Sequence, residues 1–270
     1  MSEELRRPVV TLLTDFGSGG GYIGAMKGVI LRRVAADIVD ITHAIPPQSI
    51  EAGALVLRSV AGFFPENTIH VVVIDPGVGS SRKAIAIHAG NHYFIGPDNG
   101  VLIPAARKAG KLDVREIDVR KIGLPEVSNT FHGRDVFAPA AAFLAAGSSF
   151  QKIGRSLSRY VPLEIEECRK VSGGLAGRIV YVDSFGNLLT GIPADTFKQV
   201  FSYGDRISLH LGDRRTMVQF KPTYASVDVG SPLILIGSHS FVEIAVRNGS
   251  ALNFFEANPG QEVLFKKPVF

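Results

Sequence analysis

Apolar residues in the first half of the chain form short runs that alternate with amphipathic segments and with turns rich in Gly and Pro. Short apolar runs bounded by turn residues are typical of buried strands, and apolar positions three to four apart are typical of helices. The pattern predicts strands over residues 9–15, 37–41, 71–74, 84–89 and 93–96, and helices over residues 22–34, 49–64, 101–108 and 136–146. Strands that alternate with helices predict an α/β domain with a central, mostly parallel sheet.

The second half has a different pattern. Residues 156–174 are polar and irregular, and short strand-like runs follow over residues 177–182, 188–192, 206–211, 216–220, 233–236, 241–246 and 263–266. Alternating strands and helices followed by strands alone indicate two domains. We predict an N-terminal α/β sandwich-type domain over residues 1–165 and a smaller C-terminal all-β, barrel-like domain over residues 172–270.

Composition and charge narrow the class of protein. The chain has 270 residues, 46% of them hydrophobic, which is enough for a sizeable core. Its net charge of +4 comes from scattered Lys and Arg, and Trp is absent, so we expect no nucleic-acid partner. The first residues are acidic where an export signal needs a basic start, and no apolar run is long enough to span a membrane. We therefore expect a cytoplasmic protein with no membrane partner.

Metal and redox sites are not indicated by the sequence. The single cysteine, Cys168, excludes an intrachain disulfide and a CxxC pair. The seven His residues show no paired ligand spacing, and no H-E-x-x-H motif or carboxylate cluster is present. His43 is interpreted as a structural residue, because a lone histidine more often satisfies a backbone group than performs chemistry. We expect neither a metal nor a cofactor.

The central candidate for chemistry is the stretch over residues 70–87, HVVVIDPGVGSSRKAIAI. A buried strand leads into a loop with Gly and Pro that carries Asp75 and Arg82. Ligands of open α/β sheets bind at the carboxyl ends of strands, where Asp75 is placed. A tight turn in which Asp75 caps a backbone group and Arg82 is solvated is an equal alternative from these residues alone.

A second carboxylate follows the first predicted strand. Asp15 precedes a glycine-rich loop and a helix, and a carboxylate at a strand end can accept both hydroxyls of a ribose diol. The alternative is an Asx turn or a helix cap formed by Asp15. A dinucleotide fingerprint fits this loop poorly.

Three further polar segments are candidates. Residues 128–135, SNTFHGRD, place His132 at the start of a predicted helix. The alternative for this segment is that Asp135 is an N-cap with Arg134 as its surface partner. Residues 183–187, DSFGN, and 237–240, GSHS, follow strands and read equally well as hairpin loops. The PDNG segment at residues 97–100 is interpreted as a turn.

Taken in order, six motifs resemble one family. TDFG at residues 14–17, DITH at 40–43, IDPGVG at 74–79 followed by Arg82, PDNG at 97–100, TFHGRDVFAP at 130–139 and DSFGN at 183–187 are similar to the S-adenosyl-L-methionine (SAM) hydroxide adenosyltransferases. These SAM hydrolases are relatives of the fluorinases and chlorinases. The resemblance covers essentially the whole chain.

The resemblance implies an activity and a set of site residues. In this family, water acting as hydroxide displaces methionine from C5′ of the ribose of SAM and gives adenosine and L-methionine. It implies catalytic roles for Asp75, Arg82 and His132, without saying which is the base. It also implies ribose binding by Asp15 and the following substrate contacts: adenine with Asn187, the methionine amino group with Asp183, and its carboxylate with Ser238, beside His239.

The resemblance also separates hydrolysis from its rivals. The halogenating relatives carry Tyr where Asp75 stands, and the fluorinase carries Ser where Gly133 stands, so Asp75 favours water as the nucleophile. A SAM-dependent halogenase and a SAM- or nucleoside-binding protein without turnover remain the alternatives. Family members form homotrimers with an active site between subunits, and we expect the same assembly here.

Overall fold

The computed structural model describes residues 7–268. Residues 1–6, on which the expected absence of an export signal rests in part, lie outside the described residues. The chain divides into two compact units between Leu163 and Glu164. The predicted domains, 1–165 and 172–270, leave a short segment between them, and the strand Cys168–Val171 lies in that segment.

A seven-stranded sheet forms the centre of the first unit. Its strands are β1 (Val9–Thr14), β2 (Asp37–Thr42), β3 (Ile69–Val73), β4 (Ala84–Ala89), β5 (His92–Pro97), β6 (Leu112–Ile117) and β7 (Gly154–Ser156). They lie in the order β2-β1-β3-β5-β4-β6-β7. β2, β1, β3 and β5 run parallel to one another, whereas the pairs β5–β4, β4–β6 and β6–β7 are antiparallel.

The predicted α/β class is confirmed, but the sheet is mixed rather than mostly parallel. β1, β2 and β3 are joined through helices, which allow the crossover that parallel strands need, and β5 reaches its place beside β3 after the loop and β4. The antiparallel part begins with the β4–β5 hairpin, whose connection at Gly90 and Asn91 is too short for anything but an antiparallel pair. The sequence correctly predicted both strands of this hairpin and the turn between them.

Helices cover the sheet of the first unit. They are α1 (Tyr22–Leu31), α2 (Ile50–Val60), α3 (Ile103–Ala109), α4 (Val119–Ile122) and α5 (Ala138–Ala145). α1 and α5 contribute to one hydrophobic core with every second residue of β1 and β3, including Val10, Leu12 and Val71. Alternate residues of a strand point to opposite faces, so these residues define one buried face of the sheet.

The parallel part of the sheet brings two predicted site residues to one edge. β1 and β3 are hydrogen-bonded neighbours that run in the same direction, with Thr14 level with Val73. Asp15 follows the end of β1, and Asp75 follows β3 after Ile74. Both carboxylates therefore leave the sheet at its carboxyl edge, where α/β proteins bind ligands.

The second unit is a closed β-barrel. It contains β8 (Cys168–Val171), β9 (Gly174–Val182), β10 (Leu188–Pro193), α6 (Ala194–Lys198), β11 (Arg206–Leu211), β12 (Arg214–Phe220), β13 (Pro232–Ile236), β14 (Phe241–Val246), α7 (Ala251–Phe255) and β15 (Glu262–Lys266). The strands lie in the order β10-β14-β13-β12-β11-β15-β9-β8, and pairing of β10 with β9 closes the barrel. The predicted barrel-like all-β domain is confirmed.

None of the helices in residues 7–268 combines the length and hydrophobicity that crossing a bilayer requires.

A buried histidine lies in the middle of the first unit. His70 on β3 is fully buried and hydrogen-bonds through Nδ1 to the Thr11 hydroxyl at 2.8 Å. Its Nε2 lies 3.4 Å from Nδ1 of His92, and its ring stacks on Phe94. Burial, together with neighbouring His92, lowers the pKa of His70 to about 3. His70 is therefore neutral in the folded protein at neutral pH.

This burial makes the first unit sensitive to acid. The unfolded chain binds a proton at His70 near its ordinary pKa of 6.5, whereas the folded chain does so only near 3. The stabilisation is complete above pH 6.5 and falls as pH drops towards 3, by up to about 1.4 kcal/mol per pH unit. We expect His70→Phe to flatten the dependence of the urea unfolding free energy on pH in this window. An unchanged slope in the variant would contradict this assignment.

Candidate active site

Three predicted catalytic residues are in direct contact. The Arg82 guanidinium donates from Nε to Oδ1 of Asp75 at 2.9 Å and from Nη2 to Oδ2 of the same carboxylate. Nη2 also lies 2.7 Å from Nδ1 of His132. Asp75 and Arg82 are nearly buried, and the guanidinium lies 5.3 Å from the centre of the Phe137 ring. Asp75 is therefore more than a turn cap, and Arg82 is not a solvated surface group.

The contact with Arg82 sets the state of the His132 ring. A guanidinium can only donate, so Nδ1 of His132 accepts and carries no proton. Burial and the adjacent Arg82 cation hold the pKa of His132 below its ordinary value, despite the opposing charges of Asp75 and Asp135. His132 is thus neutral at pH 7 with its proton on Nε2, and this N–H is a hydrogen-bond donor.

Two loops hold these side chains together. Gly79 in the loop after β3 has a φ of +78°, and a Cβ there would lie 2.5 Å from the carbonyl oxygen of Asn129. Only glycine allows this close approach. His132 precedes a π-helical turn, Gly133–Phe137, that continues into α5. Such irregular turns are frequent at functional sites.

Asp135 is a structural residue within this turn. Its fully buried carboxylate accepts from the Ser128 amide at 2.8 Å and from Arg134 Nε at 2.6 Å. These bonds hold the pKa of Asp135 below its usual range, although burial acts in the opposite direction. Pairing of Arg134 with Asp135 agrees with the alternative that the sequence left open, but Asp135 lies inside the turn and is not its N-cap, a position that His132 occupies.

Asp15 is held by a distant part of the chain. Its Oδ2 accepts from the backbone amide of Gln48 at 2.7 Å, and Gln48 has a left-handed φ of +64°. An Asx turn at Asp15 would instead accept from the amide of Gly17, but that amide donates to the carbonyl oxygen of His43 at 2.8 Å. The N-cap of α1 is Gly21. Asp15 is therefore neither a local turn residue nor a helix cap.

Asp15, Asp75 and His132 line one pocket, which we call the N-terminal pocket. Its volume is about 260 Å³. Arg82 lies behind Asp75 and His132. Phe16 and Phe131 also line the pocket, and together with Tyr22 they form an edge-to-face cluster with ring centres 5.2–5.9 Å apart. This aromatic wall was not predicted from the sequence, although both phenylalanines lie inside the motifs TDFG and TFHGRDVFAP.

In the second unit the loop after β9 is organised by Asp183. Oδ1 of Asp183 accepts from the amides of Phe185 and Asn187 at 2.9 and 2.8 Å, and Oδ2 accepts from the Asn187 side chain at 2.9 Å. Residues 183–187 therefore form a hairpin loop between β9 and β10, which is the alternative to a ligand-binding role that the sequence left open. The loop also lines a pocket, so the loop and the ligand-binding interpretations are compatible.

That pocket, the C-terminal pocket, has a volume of about 670 Å³. It is lined by the predicted residues Asp183, Asn187 and Ser238, with His239, and by residues that the sequence analysis missed. The missed residues are Phe185, Tyr224, Glu243, Val246, Asn248 and Gly249.

Glu243 and Tyr224 form a hydrogen-bonded pair in the C-terminal pocket, in which Glu243 is buried and Tyr224 is partly exposed. The Tyr224 hydroxyl donates to Oε1 of Glu243 at 2.5 Å, and Glu243 is only 3% exposed. Burial and neighbouring Asp183 raise the pKa of Glu243, although the bond from Tyr224 opposes that change. His239 has a buried Nδ1 without a hydrogen-bond partner among the described residues. A buried carboxylate and a buried, unpartnered imidazole nitrogen in one pocket are typical of a ligand-binding site.

The PDNG motif at residues 97–100 has a structural role. Asn99 Nδ2 donates to the carbonyl oxygen of Ile74 at 2.8 Å, and Asp98 accepts from the Val161 amide at 2.8 Å. The first bond fixes the residue immediately before Asp75, and the second joins the turn to a distant segment of the same unit. In the range 7–268 no three His, Cys, Asp or Glu side chains come together as metal ligands.

Comparison with known proteins agrees with this geometry. Residues 10–154 match the model of the SAM hydroxide adenosyltransferase N-terminal domain, and residues 177–264 match that of the C-terminal domain. The two matches together span most of the chain, including every predicted site residue.

Individual proteins give the same result. The chain is 33% identical over 264 residues to an (R)-S-adenosyl-L-methionine hydrolase of Salinispora arenicola, covering 95% of this chain and 97% of that protein. It is 25% identical over 288 residues to a fluorinase of Actinopolyspora mzabensis, covering 94% and 95%. The crystal structure of an uncharacterized conserved protein from Thermotoga maritima is similar, with a TM-score of 0.90 and 35% identity, covering 96% of this chain and 100% of that one. The chain therefore belongs to the SAM hydroxide adenosyltransferase family.

Proposed function

We propose that this protein hydrolyses SAM to adenosine and L-methionine by attack of water on C5′ of the ribose. The observation that carries the proposal is the joined set of Asp75, Arg82 and His132 in the pocket that Asp15 also lines. A binding protein without turnover has no need for a nearly buried, doubly bonded guanidinium next to a neutral histidine.

The chemistry needs a nucleophile more than an acid. A sulfonium leaves as a neutral thioether, so no proton has to be delivered to the leaving atom. The site has to hold a water molecule in line with the C5′–S bond, and positioning of this kind is worth up to about 7–11 kcal/mol of a barrier. One C–O bond forms, the C–S bond breaks with its electrons on sulfur, and one proton is released.

The three residues divide this task. The Nε2–H of His132 donates to the oxygen of the bound water, and the carboxylate of Asp75 accepts one of its protons. The Arg82 cation stabilises the hydroxide that develops, and in a pocket of low water content this interaction is strong. Arg82 also holds Asp75 and His132 at fixed distances from each other, so it is proposed to serve both positioning and charge stabilisation.

The proposed substrate contacts use both pockets. In the N-terminal pocket, Asp15 accepts the ribose hydroxyls. In the C-terminal pocket, Asn187 contacts adenine, Asp183 and the buried Glu243 offset the positive amino group of methionine, and Ser238 binds its carboxylate. Since SAM carries positive charge at sulfur and at its amino group, carboxylates in both pockets suit it.

A SAM-dependent halogenase is the second candidate, and the structure of the pocket disfavours it. At Gly133, where the fluorinase carries Ser, a Cβ would lie 3.1 Å from both Met26 Sδ and the Phe131 ring. A serine would fit only if these neighbours moved. Asp75, in place of the halogenase tyrosine, would repel a halide ion.

We further propose that the active protein is a cytoplasmic homotrimer with its active site between subunits and without a metal or cofactor. The support for the trimer is the family resemblance alone. Size-exclusion chromatography with light scattering is expected to give three times the chain mass of 29.0 kDa.

The test of the function is product analysis. Purified protein is incubated with SAM in buffer without chloride and then with chloride, and the nucleosides are separated and weighed by mass spectrometry. We expect adenosine and methionine in equal amounts under both conditions. A 5′-chloro-nucleoside would establish the halogenase, and SAM that remains intact in both buffers would leave only a binding function.

A further inference from the structure

His43 lies in a hydrogen-bonded network that ends at the loop carrying Asp15. Its Nδ1 lies 2.9 Å from the hydroxyl of Thr14, the residue immediately before Asp15. The same Thr14 hydroxyl accepts from the amide of Phe16, the residue immediately after Asp15. Thr14 is fully buried. The imidazole therefore acts on the backbone on both sides of Asp15 through one hydroxyl group.

The segment that starts at His43 makes two further bonds to this loop. The carbonyl oxygen of His43 accepts from the amide of Gly17 at 2.8 Å. Five residues on, the amide of Gln48 donates to the Asp15 carboxylate itself. The strained φ of Gln48 shows that this segment is held in a conformation that non-glycine residues rarely adopt.

Asp40 continues the network on the other side of the ring. Its Oδ1 lies 3.1 Å from Nε2 of His43, at an angle too bent for a straight hydrogen bond, and its Oδ2 lies 2.6 Å from Nζ of Lys27. Lys27 and His43 hold the pKa of Asp40 below its usual value, against the effect of burial. An ionised Asp40 favours the proton of His43 on Nε2, which leaves Nδ1 free to accept from Thr14.

We infer that His43 is a positioning residue for the Asp15 carboxylate, and that through it the protein discriminates nucleosides that carry a ribose diol from those that do not. The inference rests on the proposed function, because it takes Asp15 as the acceptor of the ribose hydroxyls. His43 itself does not line the N-terminal pocket. Its effect on ligands passes through Thr14 and the loop.

The inference is tested by measuring the affinity of the full-length protein for two probes, adenosine and 2′,3′-dideoxyadenosine, by calorimetry. The wild type is expected to prefer adenosine. In His43→Ala the affinity for adenosine is expected to fall about tenfold, the equivalent of one hydrogen bond to a charged group, while that for dideoxyadenosine stays the same. Thr14→Val is expected to give a similar change, and the double variant little more than either alone.

Matched variants separate positioning from folding. His43→Asn retains an acceptor near the Nδ1 position and is expected to restore much of the preference. His210→Asn is the control, because His210 also bonds a hydroxyl, that of Ser208 at 2.9 Å, but on β11 of the other unit. It is expected to leave both affinities unchanged. If His43→Ala does not fold, Asp40→Asn is used instead, because the Asp40 side chain is 38% exposed. This variant is expected to lower the affinity for adenosine and to leave that for dideoxyadenosine unchanged.

Two failures are distinguishable. If the wild type binds both nucleosides equally, Asp15 does not bind the diol, and that part of the proposed function is wrong. The second failure assumes that the wild type prefers adenosine. If His43→Ala or Asp40→Asn then shows the same preference, or loses affinity for both nucleosides equally, the role of His43 is overturned.

Discussion

Replacing Asp75 with alanine is expected to reduce kcat for SAM hydrolysis by about 10²- to 10⁴-fold, the usual range for loss of a group that takes a proton in the transition state. SAM affinity is expected to change little, because the ribose, adenine and methionine contacts are proposed for other residues. The expected result is therefore a fall in kcat with KM nearly constant. Such a split identifies an interaction made only in the transition state.

The Asp75→Ala experiment is accompanied by a second variant at the same position and by a control variant elsewhere. Since the carboxylate holds Arg82 through two bonds, its loss leaves a nearly buried cation without that partner. Asp75→Asn keeps one acceptor for Arg82 and removes the charge, so it reports on proton transfer with less disturbance. Asp113→Ala is the matched control, because Asp113 also contacts an arginine, Arg115 at 3.4 Å, away from the N-terminal pocket. Equal losses of turnover and SAM binding in Asp75→Ala would show that the carboxylate only binds substrate.

The second large effect is expected for Arg82→Lys. The substitution keeps the positive charge but cannot reproduce the planar fork that reaches Asp75 through two nitrogens and His132 through one of them. We expect kcat to fall by about 10²-fold or more, in line with the removal of one preorganised donor in an active site. The melting temperature is also expected to fall, because Asp75 loses part of its compensation.

The tautomer of His132 supplies a further readout for this variant. Without Arg82 at Nδ1, the ring is free to take a proton there, and its pKa is expected to rise from its lowered value. Nuclear magnetic resonance of the His132 ring nitrogens follows this change. The control is Arg115→Lys, which preserves charge in a comparable pair on β6. A kcat for Arg82→Lys within a few-fold of wild type would contradict the proposed geometry.

Sequence reasoning identified the elements that have a strong repeating pattern. β1 to β5 and the helices α1, α2, α3 and α5 were expected within a few residues, because apolar runs and turn residues mark them clearly. β6, Leu112–Ile117, was missed, since half of LDVREI is charged and its alternation of apolar and polar residues breaks at Arg115 and Glu116. The sheet was expected to be mostly parallel because its antiparallel pairs involve β6 and β7, which were not predicted, and the β4–β5 hairpin.

Site prediction had a different limit. The residues alone left Asp75 and Asp15 balanced between chemistry and turn formation, and the resemblance of six motifs favoured the first. The structure adds the physical reason. Asp15 is bonded by the amide of Gln48, 33 residues along the chain, and Arg82, the partner of Asp75, contacts His132, 50 residues further on. No local pattern encodes such contacts.

The C-terminal pocket was the least predictable part. Tyr224 and Glu243 are 19 residues apart and belong to no motif, although their hydrogen bond is a principal polar contact in this pocket. Tyr224 lies in a short 3₁₀ turn, and nothing in its local sequence indicates a role. Glu243 lies in the middle of an apolar strand, and this position is the only local indication of the pair. A charged residue in a run such as FVEIAV requires a buried partner, and that requirement marks Glu243 for attention.

The most direct test of the account is hydrolysis of SAM in water enriched in oxygen-18, with both products weighed by mass spectrometry. Attack of water at C5′ predicts one oxygen-18 atom in the adenosine formed and none in methionine. Label in methionine, or adenosine that forms without label, would contradict attack at C5′ and with it the roles proposed for Asp75, Arg82 and His132.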